Sequence, residues 1–179
     1  MNQYQKRYFH KIRSCDRIRV DDVAELKFHH PDSVHSVYDT MKPIGLWYAF
    51  GTEWIDWCVT EHMGDWISDC NVFKIYANPD AILQIKSDQD IVSFNNDFKG
   101  RKNDIWWSFG INWSEVAKQY SGIEINPYNW ERRLDPQFTW YYSWDVASGC
   151  IWDLKAIKKI SMLNIRIDDN FFLDPAVAL

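Results

Sequence analysis

Carboxylate, imidazole and indole side chains are the groups in this chain that can carry chemistry, and their spacing narrows which chemistry that is. His29, His30 and His35 lie near Asp32 and Asp39 in sequence. No HExxH and no Cys/His ligand spacing accompanies them, so no metal site is expected. Phosphate-cradling loops of the GxGxxG or P-loop type are absent, and so is a GxSxG elbow; the Ser-Gly pairs at 121 and 148 read as turns. Acidic residues are plentiful, and nothing picks a pair for glycoside cleavage. Glu124 alternates with Ile123 and Ile125, so a strand there buries the isoleucines and turns Glu124 to the opposite face. Asp145 sits before a Ser-Gly turn that its short side chain can cap. Eleven Trp are present, seven of them between Trp106 and Trp152. Aromatics this dense build a core, or line a groove that stacks a base, a nicotinamide ring or a sugar.

The elements that must position these groups belong to a chain of 179 residues, 46% hydrophobic and 25% charged, which suits a single globular domain over 1–179. No apolar run reaches membrane-spanning length and the N-terminus is polar and basic, which leads to the expectation of a soluble cytoplasmic protein without a membrane partner. Cys15, Cys58, Cys70 and Cys150 form no CxxC pair and read as buried thiols. The net charge of −5 argues against electrostatic coating of nucleic acid, and the basic residues from Lys6 to Arg19 read as a solvated face.

In chain order, Tyr8, Ile12 and Cys15 form a weak helical stripe, and residues 23–29 read as a strand closed by Pro31. Residues 34–41 are a connector or short helix. Pro43 and Gly45 punctuate a turn, Leu46 to Phe50 is a strand, Gly51 ends it, and Thr52 caps a helix carrying Trp54, Ile55, Trp57 and Cys58. Strands are expected at 72–77, 81–86 and 91–94, the last two joined by a polar turn at 87–90. A loop at 100–104 leads to Ile105-Trp106-Trp107. Trp113, Val116, Ala117 and Tyr120 give the best helical stripe in the chain. Further strands are expected at 123–125, 140–144, 150–152 and 163–167. The sum is an α+β domain dominated by antiparallel sheet.

The unit around Gly45-Leu46-Trp47-Tyr48-Ala49, with Trp54, Trp57 and Cys58 on the following helix, resembles a segment of the ADP-ribosyltransferase superfamily. There a glycine opens a strand carrying an aromatic, and a short helix follows. A second likeness is the stretch from Ser148 to Ile157, which looks like the family's closing strand. The resemblance implies a split β-sandwich of mainly antiparallel sheets with flanking short helices. It also implies NAD as substrate and transfer of ADP-ribose to a macromolecular acceptor, protein or nucleic acid. Small aromatic-rich chains of this type also resemble tailed-phage and toxin-like proteins, which implies a role in phage–host conflict and action in the host cytoplasm.

Carried onto this sequence, the resemblance makes His29 or His30 the strand-end histidine that holds the adenosine ribose or a phosphate. Gly45 opens the strand, and Trp47 or Tyr48 stacks on the nicotinamide. Where the family's closing strand begins with its catalytic Glu, this chain has Ser148 and Gly149, so the carboxylate must be Glu124 or Asp145. Glu124 is preferred for its longer side chain and its face. Two other readings stand beside this one: a non-catalytic module whose aromatic groove holds a nucleotide or partner protein, and a glycoside- or nucleoside-cleaving hydrolase that pairs Glu124 with another acid.

Overall fold

The computed structural model describes residues 12–26, 41–100, 110–167 and 173–174. Their fold is α+β, mostly antiparallel, and the chain divides into two compact units. The chain passes between the units within β2, Leu46–Phe50.

The first unit contains β1 (Arg17–Asp21), which pairs antiparallel with β2 on one side and with β3 (Asn71–Ala77) on the other. β3 continues antiparallel to β7 (Ile157–Ile167), and β7 to β8 (Leu173–Asp174). Gly51 ends β2 at φ 58°, where a Cβ would also press on Ser14 Cα at 3.0 Å, so glycine is required there on both counts. Helix α1 (Glu53–Thr60) follows and buries Ile55 and Cys58. Thr52 precedes it as expected but makes no side-chain cap; its hydroxyl donates to Asp56 Oδ2 at 2.8 Å. Ile12, Ile18, Ile55, Cys58, Ile67, Val72, Ile165 and Ile167 form the core of this unit. Burial pushes the Cys58 thiol up to about 12, so it stays protonated. The expectation of four buried thiols fails at Cys15, which is exposed.

Asp16 is buried beside this core, and its Oδ1 lies 2.6 Å from Lys74 Nζ. Burial alone would raise its carboxyl. The Lys74 ammonium and the Arg13 amide outweigh that and hold it below the ordinary carboxylate range.

In the second unit β4 (Ile82–Ile85) runs parallel to β5 (Gly122–Ile125), which is antiparallel to β6 (Ser148–Ile151). A parallel pair needs a crossover, and α2 (Asp88–Phe98) and α3 (Trp113–Gln119) lie in it. Here the strand expected at 91–94 is a helix, and the polar turn at 87–90 is its start. Ser87 accepts from the Asp90 amide at 3.2 Å while Asp90 accepts from the Ser87 amide at 2.9 Å, a capping box that overrides the β-preference of Ile91, Val92 and Phe94. Residues 140–144 are likewise not a strand. Pro136–Ser143 forms two 3₁₀ turns joined by a kink at Phe138, the first opened by Asp135, whose carboxylate accepts from the Gln137 amide at 2.9 Å.

The core of this unit is aromatic. Phe94, Trp113, Trp140, Trp144 and Trp152 are all buried, with centroids 5.1 Å apart for Phe94–Trp140 and 6.3–6.4 Å for Trp113–Trp140, Trp113–Trp152 and Trp140–Trp144. Two indole N–H groups find acceptors, Trp140 on buried Asn95 at 3.1 Å and Trp152 on the Tyr120 carbonyl at 2.8 Å. The strands expected at 72–77, 81–86, 123–125 and 150–152 stand close to where alternation puts them and β7 begins earlier than expected, whereas β1 was not expected and Ile12 to Cys15 form no helix. Residues 23–26 are not strand; the remainder of that stretch, the connector after it, the loop at 101–104, Ile105-Trp106-Trp107 and Tyr8 lie outside the described residues. Among the described residues no helix is long and apolar enough to cross a membrane.

Two measurements check this account. Ser87→Ala should lower stability by about 1 kcal/mol in urea unfolding, because one cap donor loses its acceptor. Lys74→Met should cost about 1–3 kcal/mol at pH 7, since it strands a buried carboxylate. The sign with pH follows from the lowered Asp16 value. The ion pair stabilises fully above the unfolded value, about 3.9, and its contribution is lost as pH falls through the lower folded value. The gap between wild type and Lys74→Met should therefore close on the acid side and stay constant above pH about 5.

Candidate functional site

The turn before β2 and the strand β6 fit together at Gly45. A Cβ there would lie 2.8 Å from Cys150 Sγ and would run into the Ile151 carbonyl oxygen, so only glycine lets the two backbones meet. Cys150 Sγ sits 3.8 Å from the Pro43 carbonyl on the same contact. This seating fixes Trp47, two residues on. Its Nε1 donates to the Pro43 carbonyl at 3.2 Å, and its ring meets Trp144 edge-on, with centroids 4.9 Å apart and planes at 63°.

Lys42 links Trp47 to Asp145. Its Nζ stands 5.2 Å from the centroid of the Trp47 ring and 3.5 Å from Asp145 Oδ2. Arg133 Nη2 donates to the other oxygen, Oδ1, at 3.0 Å. Asp145 is thus held by two cations, and the expected turn-capping role is replaced by ion pairing. The Arg133 guanidinium also lies 5.4 Å from the ring centroids of Trp130 and Tyr142, both exposed. Behind them Tyr128 stacks on Tyr141 at 5.1 Å, and Tyr141 Oη accepts from the Asn129 amide at 2.8 Å. Burial pushes the Tyr141 phenol up to about 12, and burial followed by the nearness of Tyr141 raises that of Tyr128, so both are neutral donors at pH 7. Tyr128 Oη and Trp144 Nε1 are the two buried side-chain polar atoms without a hydrogen-bond partner among the described residues.

Glu124 lies on β5 with Gln84 of β4 and Gly149 of β6 as register neighbours. It is only 5% exposed, and all four residues of β5 are buried. The face opposite the isoleucines is therefore covered at Glu124 and not open to solvent. The Arg132-Arg133 pair that could have faced Glu124 is engaged elsewhere: Arg133 on Asp145, and Arg132 on Asp88 at 2.6 Å and Asp135 at 2.7 Å.

The structure brings Gly45, Trp47 and Asp145 into one neighbourhood of the second unit, with Lys42 between the last two. Tyr48 belongs to the first unit, where it is buried edge-on to Phe50 at 6.0 Å, a core position that leaves Trp47 as the aromatic of the site. His29 and His30 lie outside the described residues. Lys42, Arg133 and Trp144 were not singled out for this site from the sequence. Among the described residues no group of three or more His, Cys, Asp or Glu side chains is gathered as metal ligands would be. Comparison of the chain with models of known families, with curated proteins and with solved structures finds no match.

Chemically the neighbourhood offers an indole face and two cations sharing one carboxylate, and Glu124 is a buried residue of the same unit. The pairing itself is measurable. A double-mutant cycle on Asp145→Asn and Arg133→Gln, followed by thermal unfolding, should give a coupling of about 1 kcal/mol or more, above the usual surface pair, because both partners are largely buried. A coupling indistinguishable from zero would show that Asp145 is not held as described.

Proposed function

We propose that the chain is an ADP-ribosyltransferase-like enzyme with the family's split β-sandwich, which binds NAD in the second unit and transfers ADP-ribose to a macromolecular acceptor, in the setting of phage–host conflict. The observation that supports this reading is the convergence of the segments that carry the resemblance. The turn and strand start at 42–47 touch β6 through Gly45, and β6 in turn is the register partner of the strand bearing Glu124.

In this reading Trp47 stacks on the nicotinamide and orients it as leaving group. Lys42 and Arg133 supply positive charge for the pyrophosphate, and Asp145 acts as the positioning residue that holds both. Either His29 or His30 holds the adenosine ribose. The bond from ribose C1′ to the nicotinamide nitrogen breaks with its electron pair going to nicotinamide, which leaves neutral. Positive charge grows on the ribose, and the Glu124 carboxylate, in a water-poor setting, stabilises it more strongly than water would. The acceptor nucleophile then bonds to C1′ and releases its proton.

The test uses the full chain with NAD labelled on the adenylate phosphate, with and without cell lysate, reading both released nicotinamide and labelled macromolecule. Wild type should give both. Glu124→Gln should lower turnover by about 100-fold or more with the fold intact, and Trp47→Ala should raise KM more than it lowers kcat. Free nicotinamide without labelled acceptor would make the protein an NAD hydrolase. Wild type that releases no nicotinamide under any condition would end the enzymatic reading and leave the binding module.

A further inference from the structure

The first unit carries an aromatic face that its core does not use up. Trp54 and Trp57, one helical turn apart on α1, stack at 5.0 Å with planes 12° apart, and Trp66 closes the group at 6.1 and 6.4 Å from them. The inner sides of Trp54 and Trp57 pack on the core, whereas Trp66 is 57% exposed. A solvent-facing indole braced by two others is an unusual use of so large an apolar surface.

The stretch of chain that carries these rings has charge of one sign. From Pro43 to Phe73 the chain contains no Lys or Arg and five carboxylates: Glu53, Asp56, Glu61, Asp65 and Asp69. Asp56 falls between the two Trp in sequence and accepts from the Thr52 hydroxyl, Asp65 is next to Trp66, and Glu61 follows the helix; Glu61 and Asp65 are exposed. Among the described residues no Lys or Arg pairs with Asp56, Glu61 or Asp65. Of the basic residues of the unit, Lys74 pairs with Asp16 and Arg19 with Asp21, Arg17 lies over Phe50, and Arg13, exposed before the first strand, donates its amide to Asp16. His62 is the one basic side chain within the stretch.

We infer that this Trp54–Trp57–Trp66 face docks a basic, Lys- or Arg-bearing segment of a partner protein. Indole faces attract ammonium and guanidinium groups through their ring quadrupole, and the surrounding carboxylates add Coulomb attraction of the same sense. Both features select positive charge, and the aliphatic stems of Lys and Arg cover indole surface at the same time. An anionic partner such as a nucleic acid is repelled by the same face. The inference is independent of the NAD chemistry and stands if that reading fails.

The probe is a fluorescein-labelled nonapeptide of alternating Lys and Gly, titrated by anisotropy into the full chain, with the Glu-Gly peptide as control. The Lys peptide should bind and the Glu peptide should not. Affinity should fall as salt rises from 0.05 to about 0.5 M, because exposed charges are screened within a Debye length of about 10 Å or less. Trp66→Ala should weaken binding about three- to tenfold. The pair Glu61→Lys with Asp65→Lys should abolish it. Both sets of changes sit on exposed positions, and circular dichroism and an unchanged unfolding midpoint confirm that the fold is intact. Binding that survives both with the fold intact overturns the assignment, as does absence of binding to wild type. Tetramethylammonium binding as tightly as the peptide would make the face a small-cation pocket and overturn it equally. Self-association through Trp66 in sedimentation, with no peptide binding, would assign the face to a second copy of the chain and not to a basic partner.

Discussion

The close approach of Gly45 to the Ile151 carbonyl is the contact on which the candidate site depends. It seats the turn before β2 on β6 without an intervening side chain, and everything on that turn inherits its position. Pro43 presents its carbonyl to Trp47 Nε1, Lys42 reaches both the Trp47 ring and Asp145, and Cys150 fills the space a larger neighbour would need. A side chain at Gly45 would push the turn away and loosen the whole group, even though glycine itself makes none of the polar contacts.

Behind that contact the second unit solves a problem particular to Trp-rich cores. Each buried indole brings a large apolar surface together with one N–H that must be matched inside the protein. Asn95 is buried on α2 to accept from Trp140, and Trp152 uses the backbone carbonyl that ends α3. These two bonds set the rotation of their rings within an otherwise non-directional core, tying α2 and α3 to the aromatic centre. Trp144 has no such acceptor and is instead oriented by edge contacts with Trp47 and Trp140. The ring nearest the candidate site is thus held by packing alone.

The strands at 72–77 and 123–125 and the helical stripe from Trp113 were legible in the sequence because apolar residues recur there at the period of each element, although burial of the whole of β5 goes beyond what alternation implies. The misreadings at 91–94 and 140–144 share one cause. Ile, Val, Phe, Trp and Tyr favour strands on average, yet a two-residue cap at Ser87 and Asp90, and a capped proline at Asp135-Pro136, start helical turns that tertiary packing then completes. Of the site, Gly45, Trp47 and Asp145 were singled out through the resemblance and not by any local mark of a site. Lys42 and Arg133 were not, since nothing in the sequence marks which carboxylate a basic residue will meet, whether 12 residues away for Arg133 or far along the chain for Lys42. The acidic residues beside Trp54, Trp57 and Trp66 were not singled out from the sequence, because only the structure shows the three rings gathered.

The two carboxylates of the second unit differ in what their surroundings ask of them. Asp145 faces Lys42 and Arg133, so its negative charge is matched, and removing it would free two cations to repel one another. A charge that is matched twice contributes little field beyond its neighbours. Its value to the site lies in fixing where the cations stand. Glu124 sits on a fully buried strand between β4 and β6, where a low dielectric lets a carboxylate act over a longer range than in water. If chemistry at the site needs one negative charge that responds to a developing positive one, the buried strand position is better suited than the ion-paired turn. Under the proposed function Glu124 is thus preferred for its buried strand position as well as its side-chain length, and Asp145 for holding the two cations.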